Sequence, residues 1–333
     1  MTHLHDDLAS LAPVIGAQVD DLIAAGPGPG QVVLSGSGDS LFAAEAVSYA
    51  FDLGPAGGCR VRSTYRLHDY GVPAGPSSLV VGISASGGNV GLAEGLARAR
   101  AAGHRTLAAV GNAQSPVGRS AEHVLLAELP DRPPAPGVRS YQASLLSLLL
   151  LARRYAGAPS AARLGAEAGA AMVKVVAETI ERQADPCRQL AGMLRDAPLV
   201  QVLGGGPAFG TARYAAAKVV EGAGVPALGQ DLEEWWHVER FATDRDAPLI
   251  VLAPPGPSHE RAVRLCAQAR ERGHRVAVLA RPGDAAAREH AHLLLPLPDA
   301  CPPEWAPLVE HLFAAPLAAE LAGLLGRHPF HRR

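Results

Sequence analysis

Lys218 and Glu221 stand three residues apart, so on a helix they share one face. His237 follows Glu221 by 16 residues and closes the run Asp231-Leu232-Glu233-Glu234-Trp235-Trp236-His237. A carboxylate and an imidazole that reach one pocket can divide the work of general base and general acid. Much earlier, Ser84-Ala85-Ser86-Gly87-Gly88-Asn89 combines hydroxyls with a glycine turn, and Gly36-Ser37-Gly38-Asp39-Ser40 forms a second loop of that kind. Glycines let a backbone approach a ligand, and a following helix N-terminus adds N–H donors and positive potential. Such loops side by side are the makings of an anion cradle, and the whole set points to chemistry on a small anionic sugar.

The elements that must position these residues are legible as apolar runs alternating with amphipathic stretches. Gln31 to Leu34, Leu79 to Ser84, Thr106 to Val110 and Val124 to Ala127 read as short strands, with helices over Ser40 to Phe51 and Val90 to Ala102. This alternation predicts βαβ units and a parallel sheet. Ligands then sit beyond the carboxyl ends of the strands, where both loops fall. The second half repeats the first. Ser78-Leu79-Val80-Val81 returns as Pro248-Leu249-Ile250-Val251, and Gly103 to Val110 as Gly273 to Ala280, both at an offset of 170. Val33 to Gly38 matches Val202 to Gly206, and His123 to Leu126 matches His292 to Leu295, at nearly that spacing. Four matched elements in one order predict two tandem copies of one α/β domain.

The repeat supplies a control for the cradle. In place of the Ser84–Asn89 loop the second copy has Ala253-Pro254-Pro255-Gly256-Pro257-Ser258, which keeps a turn but gains prolines without N–H donors. The anion site is therefore expected in the first copy. Neither loop is a dinucleotide fingerprint, since Gly36-Ser37-Gly38 lacks the third glycine and no Lys-Ser/Thr pair follows. Between the copies, Ser160 to Arg195 reads as one or two bridging helices, and Arg139 to Tyr155 as a strongly apolar helix for the core or a dimer face.

Composition narrows the class. The chain has 333 residues, 48% of them hydrophobic and 19% charged, with a net charge of −2. A large core is possible, and no basic face marks a nucleic-acid partner. Four scattered cysteines, Cys59, Cys187, Cys266 and Cys301, fit reduced thiols better than disulfides or a zinc site. The first residues carry no signal-peptide pattern and no run is long enough to span a bilayer, so a cytoplasmic protein without membrane association is expected.

These residues resemble those of tandem sugar isomerase (SIS) domain proteins, with the likeness running from about Gln31 to the C-terminus. It implies an α/β fold of two flavodoxin-like parallel sheets flanked by helices. The corresponding boundaries are a first domain with its N-terminal helix over 1–158, a helical connector over 159–195, and a second domain with its tail over 196–333. By the resemblance, Gly38, Asp39, Ser40, Ser84, Ala85, Ser86, Gly87 and Asn89 hold the sugar's phosphate or similar anion, Asn89 standing where Thr is frequent. Lys218, Glu221, Glu234 and His237 fall on the Lys-x-x-Glu and Glu-x-x-His positions of the isomerase part of glucosamine-6-phosphate synthase. Glu221 would then move the proton between C1 and C2, and His237 would assist ring opening from across a homodimer interface. Glu234 joins the substrate-binding set.

Two departures qualify the likeness. The synthase's glutaminase domain and its C-terminal Schiff-base lysine have no counterpart. The tail Gly326 to Arg333 instead resembles that of fructoselysine-6-phosphate deglycases. The leading expectation is an aldose–ketose isomerase of an anionic hexose, phosphate or sulfonate, working without metal or other cofactor. A deglycase of an amine-linked sugar phosphate and a non-catalytic sugar-phosphate-binding protein are the alternatives. Trp235 and Trp236 suit a core better than a sugar platform. Arg60 and Arg62 suit an anion site or plain surface equally.

Overall fold

The computed structural model describes residues 3–24, 30–52, 58–72, 77–130 and 137–329. The chain divides into two compact units, Met1–Lys174 and Val175–Arg333. The first opens with α1 (Leu4–Ala24) and alternates β1 (Val32–Gly36), α2 (Asp39–Asp52), β2 (Cys59–Ser63), α3 (Thr64–Tyr70), β3 (Leu79–Ser84), α4 (Val90–Ala101), β4 (Arg105–Val110), α5 (Pro116–Ser120) and β5 (His123–Leu126). It continues through α6 (Val138–Tyr155) into α7 (Ala161–Leu194), one helix of 34 residues within which the division between units falls. The second unit carries β6 (Val200–Gly204), α8 (Pro207–Ala223), β7 (Ala227–Asp231), α9 (Leu232–His237), β8 (Pro248–Leu252), α10 (His259–Glu271), β9 (Arg275–Ala280), α11 (Ala285–Glu289), β10 (Leu293–Pro296), α12 (Pro307–Glu310) and α13 (Ala314–Leu324).

Each unit holds a five-stranded sheet in which every pairing is parallel, ordered β2-β1-β3-β4-β5 and β10-β9-β8-β6-β7. Read from the other edge, the second order is β7-β6-β8-β9-β10, the same topology as the first. The predicted duplication and α/β class are therefore present strand for strand. Parallel sheets need cover on both faces, and β1, β3, β6 and β8 are buried along their whole length. Here periodicity is lost and continuous runs such as Leu79-Val80-Val81 carry the strand signal. The apolar helix α6 is buried within the first unit. Trp235 lies in the core of the second, its indole Nε1–H donating to Gln201 Oε1 at 2.7 Å. Among the described residues no helix is long and apolar enough to cross a membrane, and the four cysteines form no disulfide.

Three polar clamps on α1 fix the helix that covers the first sheet. Asp7 takes Arg139 Nε at 2.5 Å and Nη2 at 2.9 Å, tying α1 to the start of α6. Gln18 accepts from Leu126 N at 2.7 Å and donates to Leu126 O at 3.1 Å, closing the end of β5. Asp20 accepts from Arg154 Nε, Ser160 Oγ and the N–H groups of Ala161 and Ala162, at 2.8–3.0 Å, and so caps α7.

Partial burial pushes the Asp20 carboxyl up, but the backbone donors of Ala162 and Ala161, with Ser160 and Arg154, outweigh it and bring the pKa to about 2. A carboxyl lowered from 3.8 contributes stability that is complete above its unfolded pKa and is lost as pH falls through its folded one. Asp20→Asn should therefore lower the melting temperature at pH 7, and the gap from the parent should close between about pH 4 and pH 2. Melting curves across that range check this; a gap independent of pH would remove the charge from the account.

Candidate functional site

In the first sheet β1 lies between β2 and β3, with Val32 paired to both Cys59 and Leu79. The connections from β1 and from β3 therefore leave toward different neighbours, and this switch point opens a crevice at the carboxyl edge. The two Ser/Gly loops end there. Gly38 adopts φ +54° and turns the chain into α2, whose first N–H groups face the crevice side. Ser40 sits in that first turn, beside Asp39, whose carboxylate answers the positive helix end.

The second loop is built to present donors. Ser84 Oγ accepts from Gly87 N at 3.1 Å and Ser86 Oγ from Gly88 N at 3.3 Å. A serine that accepts with its lone pairs still has its O–H to donate, so both hydroxyl protons remain for a ligand. Asn89 Oδ1 caps α4 by accepting from Leu92 N at 3.0 Å, which orients the side chain and leaves its NH2 outward. Gly87 has φ +68°, and a Cβ there would stand 1.9 Å from Ser115 Oγ. Ser115 caps α5 through Gly118 N, and Gly87 O accepts from Val117 N at 3.0 Å, so the loop after β4 braces the cradle.

A cavity of about 180 Å³ adjoins the cradle, lined by Ala85, Gly111, Ala127, Ser140, Ser144 and Ser147. Ser140 and Ser144 were not among the expected site residues, because α6 reads from sequence as an apolar stripe and its polar N-terminal turn is visible only once it faces the sheet edge. The second unit has the counterpart at the same offset of 170: Pro255 for Ala85, Arg281 for Gly111, Leu297 for Ala127 and Glu310 for Ser140. That space has closed to about 20 Å³. Nearby, Ser258 Oγ lies 3.1 Å from the point a Cβ of Gly206 would occupy, so the second copy has filled its own cradle.

The acid–base residues lie in the second unit. Lys218 is 1% exposed, and its Nζ sits 2.6 Å from Glu221 Oε2 and 5.2 Å from the Tyr214 ring centre. Glu221 is 51% exposed and lines a groove of about 720 Å³ with Gly222, Gly224, Pro226, Arg327 and His328. Arg327 Nη1 donates to Ala223 O at 2.6 Å and Gly224 O at 3.1 Å, carbonyls at the end of α8, and so pins the tail there. Nothing in the local sequence announces that His328 meets the Glu221 groove. The rest of the expected tail motif, Phe330 to Arg333, lies outside the described residues.

His237 is placed differently. Glu221 precedes β7 and His237 closes α9 after it, so within one chain they flank opposite ends of that strand, on the order of 15 Å along it. His237 Nε2 lies 3.1 Å from Glu233 Oε1. Glu233, which was not among the expected site residues, is its partner. The Arg261 guanidinium on Glu233, with His237, holds that carboxyl below its ordinary value. Glu234 is exposed, its N–H donating to the helix cap Asp231 Oδ1 at 3.4 Å. The Trp236 ring is covered by Arg240 at 4.7 Å and Arg272 at 5.0 Å, which occupies the face a sugar would need.

Comparison with known proteins then decides the family of the cradle. Residues 28–154 match the model of the SIS domain. The first unit carries a SIS domain. A glutamine–fructose-6-phosphate aminotransferase (isomerizing) of Thermus thermophilus is 28% identical over 274 residues, 80% of this chain and 44% of that protein. The chain spans about half the length, or less, of the curated relatives it matches. Among solved structures, the C-terminal domain of glucosamine-fructose-6-phosphate aminotransferase from Francisella tularensis superposes with a TM-score of 0.83 at 16% identity, covering 98% of this chain and 95% of that one. The tagatose-6-phosphate ketose/aldose isomerase of Escherichia coli gives 0.73 at 16% identity, covering 98% and 92%. Over nearly its whole length the fold is thus that of two tandem SIS domains.

Two substitutions test the two copies of this SIS fold. Gly87→Ala forces a side chain onto a positive φ and against Ser115, at a cost of about 1–3 kcal/mol. It should lower the melting temperature and weaken binding of inorganic phosphate in a calorimetric titration; unchanged binding would remove the loop from the site. In the second copy, burial pushes the Glu310 carboxyl from 4.5 up to about 7, against a weaker pull from Thr211. Its protonated form is favoured on folding, so stability is lost as pH rises from about 4.5 through 7. Glu310→Gln should raise the melting temperature at pH 8 and change it little at pH 5.

Proposed function

We propose that this chain is an aldose–ketose isomerase of a hexose with an anionic terminus. The observation that carries the reading is the Lys218–Glu221 pair, a buried ammonium fixing a half-exposed carboxylate at the rim of a groove. Glu221 takes the proton from C2 of the open-chain aldose and returns it to C1 through an enediol. The Ser84, Ser86 and Asn89 donors hold the anion, with the N–H groups after Gly38 and the Ser40 hydroxyl completing the cradle. The names of the relatives, isomerizing aminotransferases and a ketose/aldose isomerase, support the reaction class.

His237, outside the groove that Glu221 lines, serves as the acid–base partner at O5 in the site of a second copy. The functional unit is accordingly a homodimer with active sites at its interface. One observation favours a second reading. Arg327 and His328 line the groove that Glu221 also lines, and this supports a part for the deglycase-like tail in the chemistry. Under that reading Glu221 and a histidine release an amine from a fructosamine 6-phosphate, and amine liberation followed by NMR distinguishes it.

The isomerase reading is tested by Glu221→Gln. Incubated in D2O with fructose 6-phosphate, the parent should incorporate deuterium at the exchanging carbon, and the variant should lose at least about a thousandfold in rate, the upper part of the range for general-base removal. Its sugar phosphate affinity should stay within about threefold. Exchange that persists in the variant would sink the assignment.

A further inference from the structure

Beside the cradle, β2 and α3 form a groove of about 610 Å³ lined by Arg62, Ser63, Tyr65, Arg66, Asp69 and Tyr70. It is a different depression from the cavity over α6. Next to the groove, Thr64 Oγ1 accepts from Ser37 Oγ of the first loop at 2.8 Å, and the Tyr65 ring lies 3.6 Å from where a Cβ of Gly91, in α4, would stand.

The groove concentrates like charge. Partial burial and the neighbouring guanidinium groups of Arg66 and Arg60 hold the Arg62 guanidinium below its ordinary value. Among the described residues no carboxylate pairs with Arg60, Arg62 or Arg66. Asp69, the one acid lining the groove, is taken by His68 Nδ1 at 2.5 Å, and Glu94 by His68 Nε2 at 2.8 Å. Arg62 Nη1 donates to Gly71 O at 3.1 Å, which fixes its guanidinium plane. Tyr65 and Tyr70 are 67% and 81% exposed.

The duplication shows that the βα turn itself does not need this set. At an offset of 168, Arg62, Ser63, Tyr65, Arg66 and Tyr70 correspond to Gln230, Asp231, Glu233, Glu234 and Val238. The second copy caps its short helix with Asp231, whereas Ser63 makes no side-chain cap. Cations and aromatic rings have replaced acids and aliphatics on one copy alone, beside the copy's anion site.

We propose that this groove binds a nucleoside diphosphate, its phosphoryl groups on Arg62 and Arg66 and its base stacked on Tyr65 or Tyr70. Guanidinium forks match phosphoryl oxygens two at a time. Exposed tyrosine faces stack a planar base, and a sugar phosphate has no such ring to offer them. The volume lies within the range of small-molecule sites. Because Thr64, between the groove residues Ser63 and Tyr65, bonds Ser37 of the first cradle loop, a nucleotide here and a sugar phosphate there would alter each other's affinity reciprocally.

The test is calorimetric titration of the full chain with ADP, with inorganic phosphate and adenosine run in parallel. ADP should bind at least tenfold tighter than either, and Arg62→Ala/Arg66→Ala should weaken it at least tenfold. Tyr65→Ala/Tyr70→Ala should erase the advantage over phosphate. Ser84→Ala/Ser86→Ala should leave ADP binding within twofold. ADP binding no tighter than phosphate overturns the proposal, as does ADP binding lost with the serines but kept without the arginines. A dimer that the arginine variant dissociates, with no ADP binding by the parent, assigns the groove to a second copy and also overturns it. The isomerase reading rests on fructose 6-phosphate and fails or stands separately.

Discussion

An all-parallel sheet has no hairpins, so each strand must be followed by a crossover and each face must be covered. Loops that lack a structural duty are then gathered at the carboxyl ends of the strands. In both units the strand order makes β1 or β6 the point where successive connections diverge. Everything chemical in the first unit follows from that constraint: Gly36–Ser40 and Ser84–Asn89 are 48 residues apart in sequence at their starts, yet they emerge from adjacent strands. The clamps from α1 secure α6 and β5, and hence the wall of the neighbouring cavity.

The duplication separates what the fold needs from what the ligand needs. Both copies keep the strand order, the βα turns and the cavity beyond the third and fourth strands. The second copy fills its cradle with Ser258 and prolines and reduces its cavity around Glu310. The first keeps hydroxyls that accept from their own loop and retain their protons. A turn requires neither hydroxyl, so their presence on one copy alone reads as selection for an acceptor-rich partner.

Much of this was legible from sequence because it is local. The continuous apolar runs gave the strands, a constant offset gave the repeat, and the Lys218–Glu221 spacing gave an ion pair on one helical face, present at 2.6 Å. What was not legible is tertiary. Spacing in sequence put Glu221 and His237 close, but β7 runs between them and turns 16 residues into a separation along a strand. The helix turn aligns His237 with Glu233 at i−4, a residue that reads from sequence as part of a solvated turn. His328 lines the same groove as Glu221, and Arg327 beside it bonds the end of α8, a contact across 104 residues that no periodicity encodes.

Lys218 is buried although its partner Glu221 is half exposed. An ammonium at 1% exposure loses most of its hydration, and an ion pair whose other half is exposed recovers little of that cost. An apolar side chain of similar length would fill that buried position at least as well, since replacing buried ion pairs by apolar groups is frequently neutral or stabilising. Packing therefore does not account for Lys218. What the ammonium supplies is a fixed partner: one oxygen of the Glu221 carboxylate is engaged at 2.6 Å on a residue that lines the groove. The same reasoning separates the Lys218–Glu221 pair from the exposed ion pairs of α7 and α10, such as Arg188–Asp185 and Arg264–Glu260, which water can replace at almost no cost.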